Sequence, residues 1–378
     1  MKEIFLSWCN FDLSKSLTKL KLELFCNGLR LSKNIYGGKG RKSGAGPAGG
    51  RFIKLKNDII GNIPIWPEFT RKSRFLMKKS GNNFELWEDN SKLRDIELLP
   101  ASYKFYKKKT STGIPMKEVA LIHGESCLAT TVIQTCYYWR INKQCLFCGI
   151  EGSLKNHATV AIKKPKELFE TTEAAVKEGI VEHITLTTGT TKTDDKGAAY
   201  LEKIVKKISP LKIPIHVQVE PPDDFKWFDK LFEAGAETIG IHIETLNEEK
   251  FKEFCPGKSK RTGIKEFLKA WQYCVELFGV NQVDSYYLIS LEKVDEEFYQ
   301  NIEKIANLGV IPFLVPIRPI AGAKLMSFKK PTAESLMDIY SRAGKILQKY
   351  KLNPYKTKAG CVRCNACSAM KEAYKYLS

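Results

Sequence analysis

From residue 118 onward, short runs of β-branched residues alternate with amphipathic helical patterns, and this alternation limits the fold more than any other feature. The predicted strands are residues 128–134, 183–188, 213–219, 238–243, 282–289 and 310–316. The predicted helices are residues 165–178, 196–208, 223–234, 262–278, 293–308 and 332–350. Regular strand–helix alternation is typical of parallel strands joined by crossover helices. Six such units predict an α/β fold with a partial (β/α)6 TIM-like barrel, because a closed barrel of this type needs eight.

Changes in residue composition and pattern divide the chain into three parts. Residues 1–115 form an N-terminal accessory region, predicted to be irregular apart from a helix over residues 14–31. Residues 116–330 form the partial barrel, and residues 331–378 form a helix followed by a cysteine-rich tail. The glycine- and lysine-rich stretch 37–50 has the composition of a phosphate-binding loop, although it lacks the P-loop pattern. A surface loop is the alternative interpretation of that stretch.

Six of the 11 cysteines fall into two triplets. Cys136, Cys145 and Cys148 follow the first barrel strand with the spacing C-x8-C-x2-C, and Cys361, Cys364 and Cys367 form C-x2-C-x2-C in the tail. Closely spaced thiolates are the ligands of iron–sulfur clusters and of zinc. Three ligands leave one coordination position for a substrate, a cofactor or a distant fourth ligand. For the tail, the candidates for the fourth position are Cys127, Cys255, a substrate atom or no ligand at all; isolated cysteines are otherwise expected to be small buried side chains.

Polar residues stand at or just after the ends of the predicted strands. They are Thr187–Thr191, Gln218 and Glu220, His242 with Glu244 and Thr245, Ser290 and Glu292, and Arg318. In a βα barrel, chemistry is carried by the loops at the carboxyl ends of the strands. The pattern therefore predicts an active site at this rim. A single residue of this kind could instead be a helix cap or a turn residue.

The composition limits the partners and the compartment. There are 61 Lys and Arg against 42 Asp and Glu, which gives a formal net charge of +19. Such a surface favours polyanions or anionic substrates and excludes an acidic solvating protein. No apolar run has the length of a membrane span, and the N-terminus lacks a signal-peptide pattern. A cytoplasmic location is expected, where a disulfide framework is unfavourable and the cysteines need another role.

The first triplet, the aromatic Phe147 before its last cysteine and the six βα units resemble the radical S-adenosylmethionine (SAM) enzymes. The first gap of the motif is eight residues here instead of the usual three. More narrowly, the chain is similar to biotin-synthase-like proteins, in particular a family encoded in bacterial nitrilase gene clusters and its archaeal relatives. The matching segments are residues 44–47, 129–148, 186–189, 219–222, 240–244, 256–258, 313–319 and 359–368.

This resemblance implies a set of cofactor contacts. Cys136, Cys145 and Cys148 would hold a 4Fe–4S cluster whose fourth iron binds SAM. Thr188, Gly189 and Thr190 stand where the family has Gly-Gly-Glu, so the acidic partner is missing there and Glu220 is the expected substitute. His242 and Glu244 occupy the position that contacts the ribose, and Glu292 ends the segment beside the adenine. The remaining expected cofactor contacts are Phe147, Gln218 and Arg318, while no catalytic residue is assigned.

The resemblance also implies the reaction. A reduced cluster cleaves SAM to a 5′-deoxyadenosyl radical, which abstracts hydrogen from an unactivated carbon, with an electron donor such as ferredoxin or flavodoxin. Cys361, Cys364 and Cys367 would hold an auxiliary cluster, and sulfur insertion of the lipoyl or biotin synthase type is then one expected outcome. Functionalisation or rearrangement of an unknown small molecule without sulfur transfer is the alternative. The expected substrate is an acidic carrier protein or an anionic small molecule.

A nucleic-acid-binding protein is the alternative from a different functional class. The charge of +19 and the clustered cysteines suit a nucleic-acid-binding protein with zinc or iron–sulfur sites. The aromatic residues do not recur in the pattern of an RNA-binding motif. The predicted rim of the barrel is associated with the cysteines and not with the lysine-rich segments of the chain. The radical SAM interpretation is therefore preferred.

Overall fold

Six parallel strands and one antiparallel strand form the central sheet of the protein. The computed structural model describes residues 2–33, 35, 49–56, 58–100, 102–155, 157–318, 320–325 and 328–378, without the side chains of residues 2–12. The central strands are β7 (Leu121–His123), β8 (Cys127–Thr131), β9 (His183–Thr187), β10 (Ile215–Gln218), β11 (Thr238–Gly240), β12 (Val283–Ile289) and β13 (Ile311–Pro316). Their spatial order is sequential from β7 to β13. Strands β8 to β13 are parallel, and β7 joins β8 as an antiparallel hairpin.

A helix or group of helices follows each parallel strand. The helices of the chain are α1 (Lys2–Asn27), α2 (Met116–Val119), α3 (Tyr137–Arg140), α4 (Gly152–Lys155), α5 (Pro165–Lys177), α6 (Ala198–Ile208), α7 (Lys226–Glu233), α8 (Glu248–Phe254), α9 (Pro256–Arg261), α10 (Gly263–Phe278), α11 (Glu296–Asn307), α12 (Ala333–Lys349), α13 (Gly360–Cys364) and α14 (Met370–Glu372). Single turns of 3₁₀ helix cover Glu68–Lys72, Lys104–Lys107, Ser209–Leu211 and Pro354–Lys356, and a π-helical turn, Ala373–Leu377, ends the chain. None of the described helices combines the length and the apolarity needed to cross a membrane.

The pleat of the parallel strands separates the core from the interior of the barrel. On β9, Ile184 and Leu186 are fully buried within the apolar core, while Thr185 and Thr187 line a central cavity. This alternation follows from the period of two along a strand. The sheet curls around the cavity, and the predicted partial (β/α)6 barrel is confirmed, with all six predicted strands present.

The N-terminal region is more regular than the sequence predicts. It holds a six-stranded sheet made of β1 (Arg30–Leu31), β2 (Gly50–Lys56), β3 (Ile59–Pro64), β4 (Phe75–Ser80), β5 (Asn83–Glu88) and β6 (Ser91–Leu98), in the order β1-β4-β5-β6-β2-β3. The glycine- and lysine-rich stretch predicted at 37–50 lies almost wholly outside the described residues; of it, Gly49 and Gly50 are described. Phe52 on β2 and Asn62 on β3 reach the barrel cavity, so this sheet supplies part of its wall.

The cysteine-rich tail returns to the barrel at the amino ends of the strands. Gly360 N donates to His183 Nδ1 at 3.2 Å, and Thr238 Oγ1 donates to Ala359 O at 3.4 Å. His183 and Thr238 are the first residues of β9 and β11. The tail therefore closes the end of the barrel opposite to the loop of the first cysteine triplet.

Candidate active site

A cavity of about 420 Å³ occupies the interior of the barrel. Five of the six parallel strands contribute inward-facing side chains to it, and the segment after β11 contributes another. Among them are Cys127, Ala129 and Thr131 of β8, Thr185 and Thr187 of β9, Gln218 of β10, Tyr286 and Leu288 of β12, and Phe313 and Val315 of β13, with His242 just after β11. Both cysteine triplets line the same cavity. A volume of this size suits a small molecule or one arm of a larger one.

The first triplet lies in the loop that follows β8. Cys136 immediately precedes α3, and Tyr137 N donates to Thr190 O at 2.7 Å, which ties this loop to the end of β9. Farther along the loop, Leu146 N donates to Phe254 O at 2.9 Å. Burial raises the pKa of the Cys136 thiol and raises that of Cys148 to about 12. A metal that binds these thiols must therefore displace protons.

Gly189 brings the end of β9 into direct contact with the cysteine loop. Its amide donates to Ile133 O at 2.9 Å, and a Cβ atom on it would lie 2.0 Å from Thr135 O. Only glycine fits a contact this close. Thr188 and Thr190 flank it on the cavity wall, and Thr190 Oγ1 donates to Glu220 Oε2 at 2.7 Å.

Two buried carboxylates stand at this rim, and both are held by protein partners. Glu220 accepts hydrogen bonds from Tyr138 Oη at 2.8 Å, from Thr190 and from Thr262. Glu244 forms an ion pair with Lys258, whose Nζ lies 2.9 Å from each carboxylate oxygen. The substitute role of Glu220 and the ribose contact of Glu244 remain predictions.

His242 presents an unpartnered ring atom beside the cavity. Its Nδ1 accepts from Tyr286 N at 3.1 Å, and its ring stacks on Tyr286 with centroids 4.2 Å apart. Burial lowers its pKa well below the usual range, so the ring is neutral and Nε2 carries the proton. Within the described residues this Nε2–H has no hydrogen-bond partner. It is therefore a buried donor that no described residue satisfies.

Three other expected cofactor residues have different positions. Phe147 lines the cavity and packs against the apolar cluster of Leu288, Leu291 and Ile317. Gln218 points toward the tail, where its Nε2 donates to Cys361 Sγ at 3.3 Å. Glu292 is not among the cavity-lining residues; its carboxylate accepts from Thr245 Oγ1 at 2.7 Å and from Tyr287. The structure thus does not bring Glu292 together with the other expected contacts.

Arg318 is a cation on the cavity wall. Its Nη1 donates to the carbonyl oxygen of Asn62 at 3.1 Å, and it faces the thiol of Cys367. Burial lowers the pKa of the guanidinium, which still stays protonated. In the described part of the chain, no carboxylate forms an ion pair with it. A buried guanidinium of this kind is a site for an anionic group.

The second triplet enters the cavity from the tail. Cys361 Sγ accepts from Tyr286 Oη at 2.9 Å, and Cys367 Sγ accepts from Asn62 Nδ2 at 3.6 Å. Cys364 Sγ lies beside Gly124 in the β7–β8 hairpin, since a Cβ on that glycine would lie 2.7 Å from the sulfur. Burial raises the pKa of Cys364 to about 11.

Each triplet offers three thiols, and thiolates are the ligands that hold iron–sulfur clusters. Among the described residues, no three His, Cys, Asp or Glu side chains converge closely enough to hold one metal ion. A cluster of several irons is larger than an ion, so its thiolate ligands stand farther apart. In each triplet the thiols interact electrostatically with one another, and all three cysteines line the cavity. The donor set of each triplet, three thiolates, is that of an iron–sulfur cluster with one iron left over.

Several residues of the site did not stand out in the sequence. Lys258 lies 14 positions from its partner Glu244, and only its place in a matching segment pointed to it. Asn62 belongs to the N-terminal sheet, and no sequence motif predicts that this sheet contacts the barrel. The contact of Tyr286 with the cavity could have been predicted, because strand alternation makes it an inward-facing residue of β12.

Part of the chain matches a known protein family, and two curated proteins are similar to it. Residues 140–305 match the model of the Radical SAM superfamily. Bacteriochlorophyllide c C-7(1)-hydroxylase of Chlorobaculum limnaeum is 22% identical over 358 residues, which cover 90% of this chain and 86% of that protein. An uncharacterized protein of Methanocaldococcus jannaschii is 24% identical over 253 residues, covering 65% of this chain and 59% of that protein.

The crystal structure of methylornithine synthase is similar with a TM-score of 0.47 at 17% sequence identity, and the match covers 61% of this chain and 64% of that one. The chain thus spans less than two thirds of that structure and of the archaeal protein, and most of the hydroxylase. Residues 140–305, which include Cys145 and Cys148, carry a radical SAM domain.

Proposed function

We propose that this protein is a radical SAM enzyme that activates a C–H bond of a small anionic substrate and inserts sulfur from a second cluster. The observation that carries the proposal is that both cysteine triplets line one cavity of about 420 Å³. A substrate between them would be within reach of SAM on one side and of the tail cluster on the other. When bound, the first cluster supplies the electron that cleaves SAM, and the resulting 5′-deoxyadenosyl radical takes the hydrogen atom.

The residues of the chain orient the partners and keep water out. Gly189 and Thr190 hold the cysteine loop against β9, and the Nε2–H of His242 is a donor for a polar group of SAM or substrate. The aromatic side chains of Tyr286, Phe147 and Phe313 line an apolar wall that shields a reactive intermediate.

Arg318 supports the choice of an anionic substrate. Its guanidinium lines the cavity and, among the described residues, lacks a carboxylate partner. A carboxylate on the substrate would supply two parallel charge-assisted hydrogen bonds. The cavity accepts a carboxylated small molecule or the carboxylated arm of a carrier-bound one.

Sulfur insertion conserves both atoms and electrons. For each C–H bond, one SAM and one electron from a low-potential donor protein yield methionine, 5′-deoxyadenosine and a carbon radical. The carbon radical would then bond to a sulfide of a cluster held by Cys361, Cys364 and Cys367, and one electron would pass to the irons of that cluster. The product is a thiol after the uptake of one proton. The donor cluster is consumed as the sulfur source and needs resupply with sulfide.

A second candidate function is C–H functionalisation without sulfur transfer. Its support is the hydroxylase of Chlorobaculum limnaeum, which matches this chain over 90% of its length. In that case the product gains oxygen instead of sulfur, and the tail triplet serves electron transfer or substrate binding. The mass of the product separates the two functions.

The test begins with anaerobic reconstitution with iron and sulfide. The wild type is expected to hold about eight irons, because each cubane has four. The triple variant Cys136→Ala/Cys145→Ala/Cys148→Ala should lose about half of them and all formation of 5′-deoxyadenosine under dithionite. The triple variant Cys361→Ala/Cys364→Ala/Cys367→Ala should lose the other half and keep the cleavage of SAM.

Cys274→Ala is the matched control for burial. Cys274 is fully buried in α10 and does not line the cavity, so its loss should change neither iron content nor SAM cleavage. A wild type that binds zinc and forms no 5′-deoxyadenosine would contradict the catalytic proposal. Iron with sulfide but a product without sulfur would contradict sulfur insertion alone.

A further inference from the structure

We infer that Cys127 is the fourth thiolate ligand of the cluster held by Cys361, Cys364 and Cys367. This inference rests on the proposed function, since it completes the tail cluster proposed there. Cys127 is the first residue of β8, and it lies 234 positions before Cys361 in the chain (361 − 127). The fold is what places it beside the tail.

The register of the strands explains the position of Cys127. It pairs with His183 on β9, and His183 Nδ1 accepts from the amide of Gly360 at 3.2 Å. Gly360 is the residue before Cys361. Cys127 is an inward position of β8 and lines the cavity together with the three tail cysteines. The same pairing that seats the tail thus brings the fourth thiol to it.

The surroundings of the thiol point to the tail cysteines. Electrostatic contacts join the Cys127 thiol to Cys364 and, more weakly, to Cys361. Cys364 Sγ itself lies against Gly124, three residues before Cys127, where only a glycine leaves room for it. The β7–β8 hairpin therefore leaves room at Gly124 for the sulfur of Cys364, and it also supplies the sulfur of Cys127.

One polar neighbour suits a thiolate at this position. Thr185 Oγ1 lies 3.2 Å from Cys127 Sγ, and its hydroxyl can donate a hydrogen bond to a ligating sulfur. Hydrogen bonds of this kind are the usual second partners of cluster thiolates. In the metal-free protein, Cys127 is 2% exposed, so solvent does not compete for it.

Cys255 does not fit the same role. Its thiol contacts Cys145, a member of the first triplet, and lies 3.8 Å from Glu244 Oε2. It is thus at the opposite end of the barrel from the tail. Of the two isolated cysteines that the sequence offers as a fourth ligand, the geometry selects Cys127.

A fourth thiolate changes the chemistry of the tail cluster. Four thiolates satisfy every iron of a cubane cluster. No iron is then open to the substrate, and a substrate radical in the cavity meets the tail cluster only at a sulfide. The first triplet differs, because its three thiolates leave one iron for SAM.

The experiment uses the full chain with the first triplet removed, Cys136→Ala/Cys145→Ala/Cys148→Ala, so that only the tail cluster forms. Cys127→Ser is added to this parent, and Cys274→Ser is the control for a buried thiol. After anaerobic reconstitution, the parent and the Cys274→Ser protein should hold about four irons and keep them on mild oxidation. The Cys127→Ser protein should lose about one iron in four on the same oxidation and show the electron paramagnetic resonance signal of a three-iron cluster.

A second measurement does not depend on the folding of a variant. The Mössbauer spectrum of the parent should show all irons in tetrahedral sulfur coordination, without a distinct iron bound by oxygen or nitrogen. Equal iron loss from the Cys127→Ser and Cys274→Ser proteins on oxidation would overturn the inference, and so would a distinct iron site in the parent. Either result would still be consistent with a cluster held by the tail cysteines. A parent that binds no iron would overturn both the inference and the proposed tail cluster.

Discussion

Lys21 of the first helix and Glu372 near the end of the chain form a buried ion pair, with Lys21 Nζ 2.6 Å from Glu372 Oε1. Both side chains are almost fully excluded from solvent. The other carboxylate oxygen of Glu372 accepts from Asn365 Nδ2 at 2.6 Å, and Lys21 Nζ also donates to Asn365 O at 3.2 Å. Asn365 lies between Cys364 and Cys367 in a left-handed backbone conformation. The pair thus fixes the loop that carries the tail thiols.

Replacement of Lys21 by Met is expected to destabilise the protein by about 3–5 kcal/mol, because it leaves a buried carboxylate without its cation. Lys21→Met/Glu372→Gln should recover most of that loss, since the double variant has no charge left to compensate. Chemical denaturation of the metal-free protein measures both. Lys252→Met is the control, because its pair with Glu248 is exposed and its loss should cost at most about 0.5 kcal/mol. A Lys21→Met protein as stable as the control would show that the pair contributes nothing.

Gly360 is expected to be essential for seating the tail. Its φ of +92° is unfavourable for other residues, and a Cβ atom would lie 2.5 Å from the His216 ring. Gly360→Ala should therefore displace α13 and reduce the iron content by about half, while SAM cleavage at the first triplet persists. Iron analysis and a 5′-deoxyadenosine assay measure the two effects.

Gly279 provides the matched control for this substitution. Its φ is +89°, and no neighbouring atom lies within 4 Å of the position that a Cβ atom would take. Gly279→Ala also places a side chain at a positive φ, at a cost of about 1–3 kcal/mol, but without the steric clash. Equal iron loss in the two variants would mean that strain, and not the contact with His216, is responsible.

The sequence predicts the barrel well because the signal is local. Each strand is a short apolar run between helical patterns, and the inward positions follow from the period of two. The six clustered cysteines are likewise visible without a structure. The partial barrel and the radical SAM domain could therefore be predicted, and both are confirmed.

The relation between the two triplets could not be predicted. Cys361 meets Gln218 and Tyr286 through contacts that span 143 and 75 residues, and no local pattern encodes them. The same holds for the approach of Asn62 to Cys367 across 305 residues. For Glu292 the sequence prediction misleads. Its position just after a strand predicts a cavity residue, but its carboxylate accepts hydrogen bonds from Thr245 and Tyr287 instead of facing the cavity.

Asp284 is expected to make stability fall with rising pH. It is buried on β12, both of its oxygens lack hydrogen-bond partners among the described residues, and burial raises its pKa well above the usual range. The folded protein then keeps a proton that the unfolded chain releases above a pH of about 4. Its contribution therefore weakens stability by up to about 1.4 kcal/mol per pH unit from there up to its folded pKa.

Asp284→Asn removes this titration with little change in shape. The variant should gain stability relative to the wild type at pH 8, and the gain should shrink toward pH 5. Denaturation curves of the metal-free proteins at both pH values test this. A gain that is the same at pH 5 and pH 8 would show that Asp284 is ionised in the folded protein.

Lys258 and Glu244 are expected to act as a unit at the rim of the barrel. Lys258 Nζ also donates to His242 O at 2.9 Å, so the pair connects the end of β11 to α9. Lys258→Met should cost about 3–5 kcal/mol of stability because Glu244 is then buried without a cation. Lys258→Met/Glu244→Gln should recover much of this, and the double-mutant cycle gives the coupling energy.

The same cycle tests whether Glu244 contacts SAM. If its carboxylate binds the ribose, Glu244→Gln should weaken SAM binding about tenfold, as expected for a hydrogen bond to a charged group. The double variant should then bind SAM as weakly as Glu244→Gln while it regains stability. Isothermal titration of the cluster-loaded proteins with SAM gives the affinities. A double variant that recovers both stability and SAM affinity would assign the pair a structural role alone, and the ribose contact would have to come from another residue, with His242 as the first candidate.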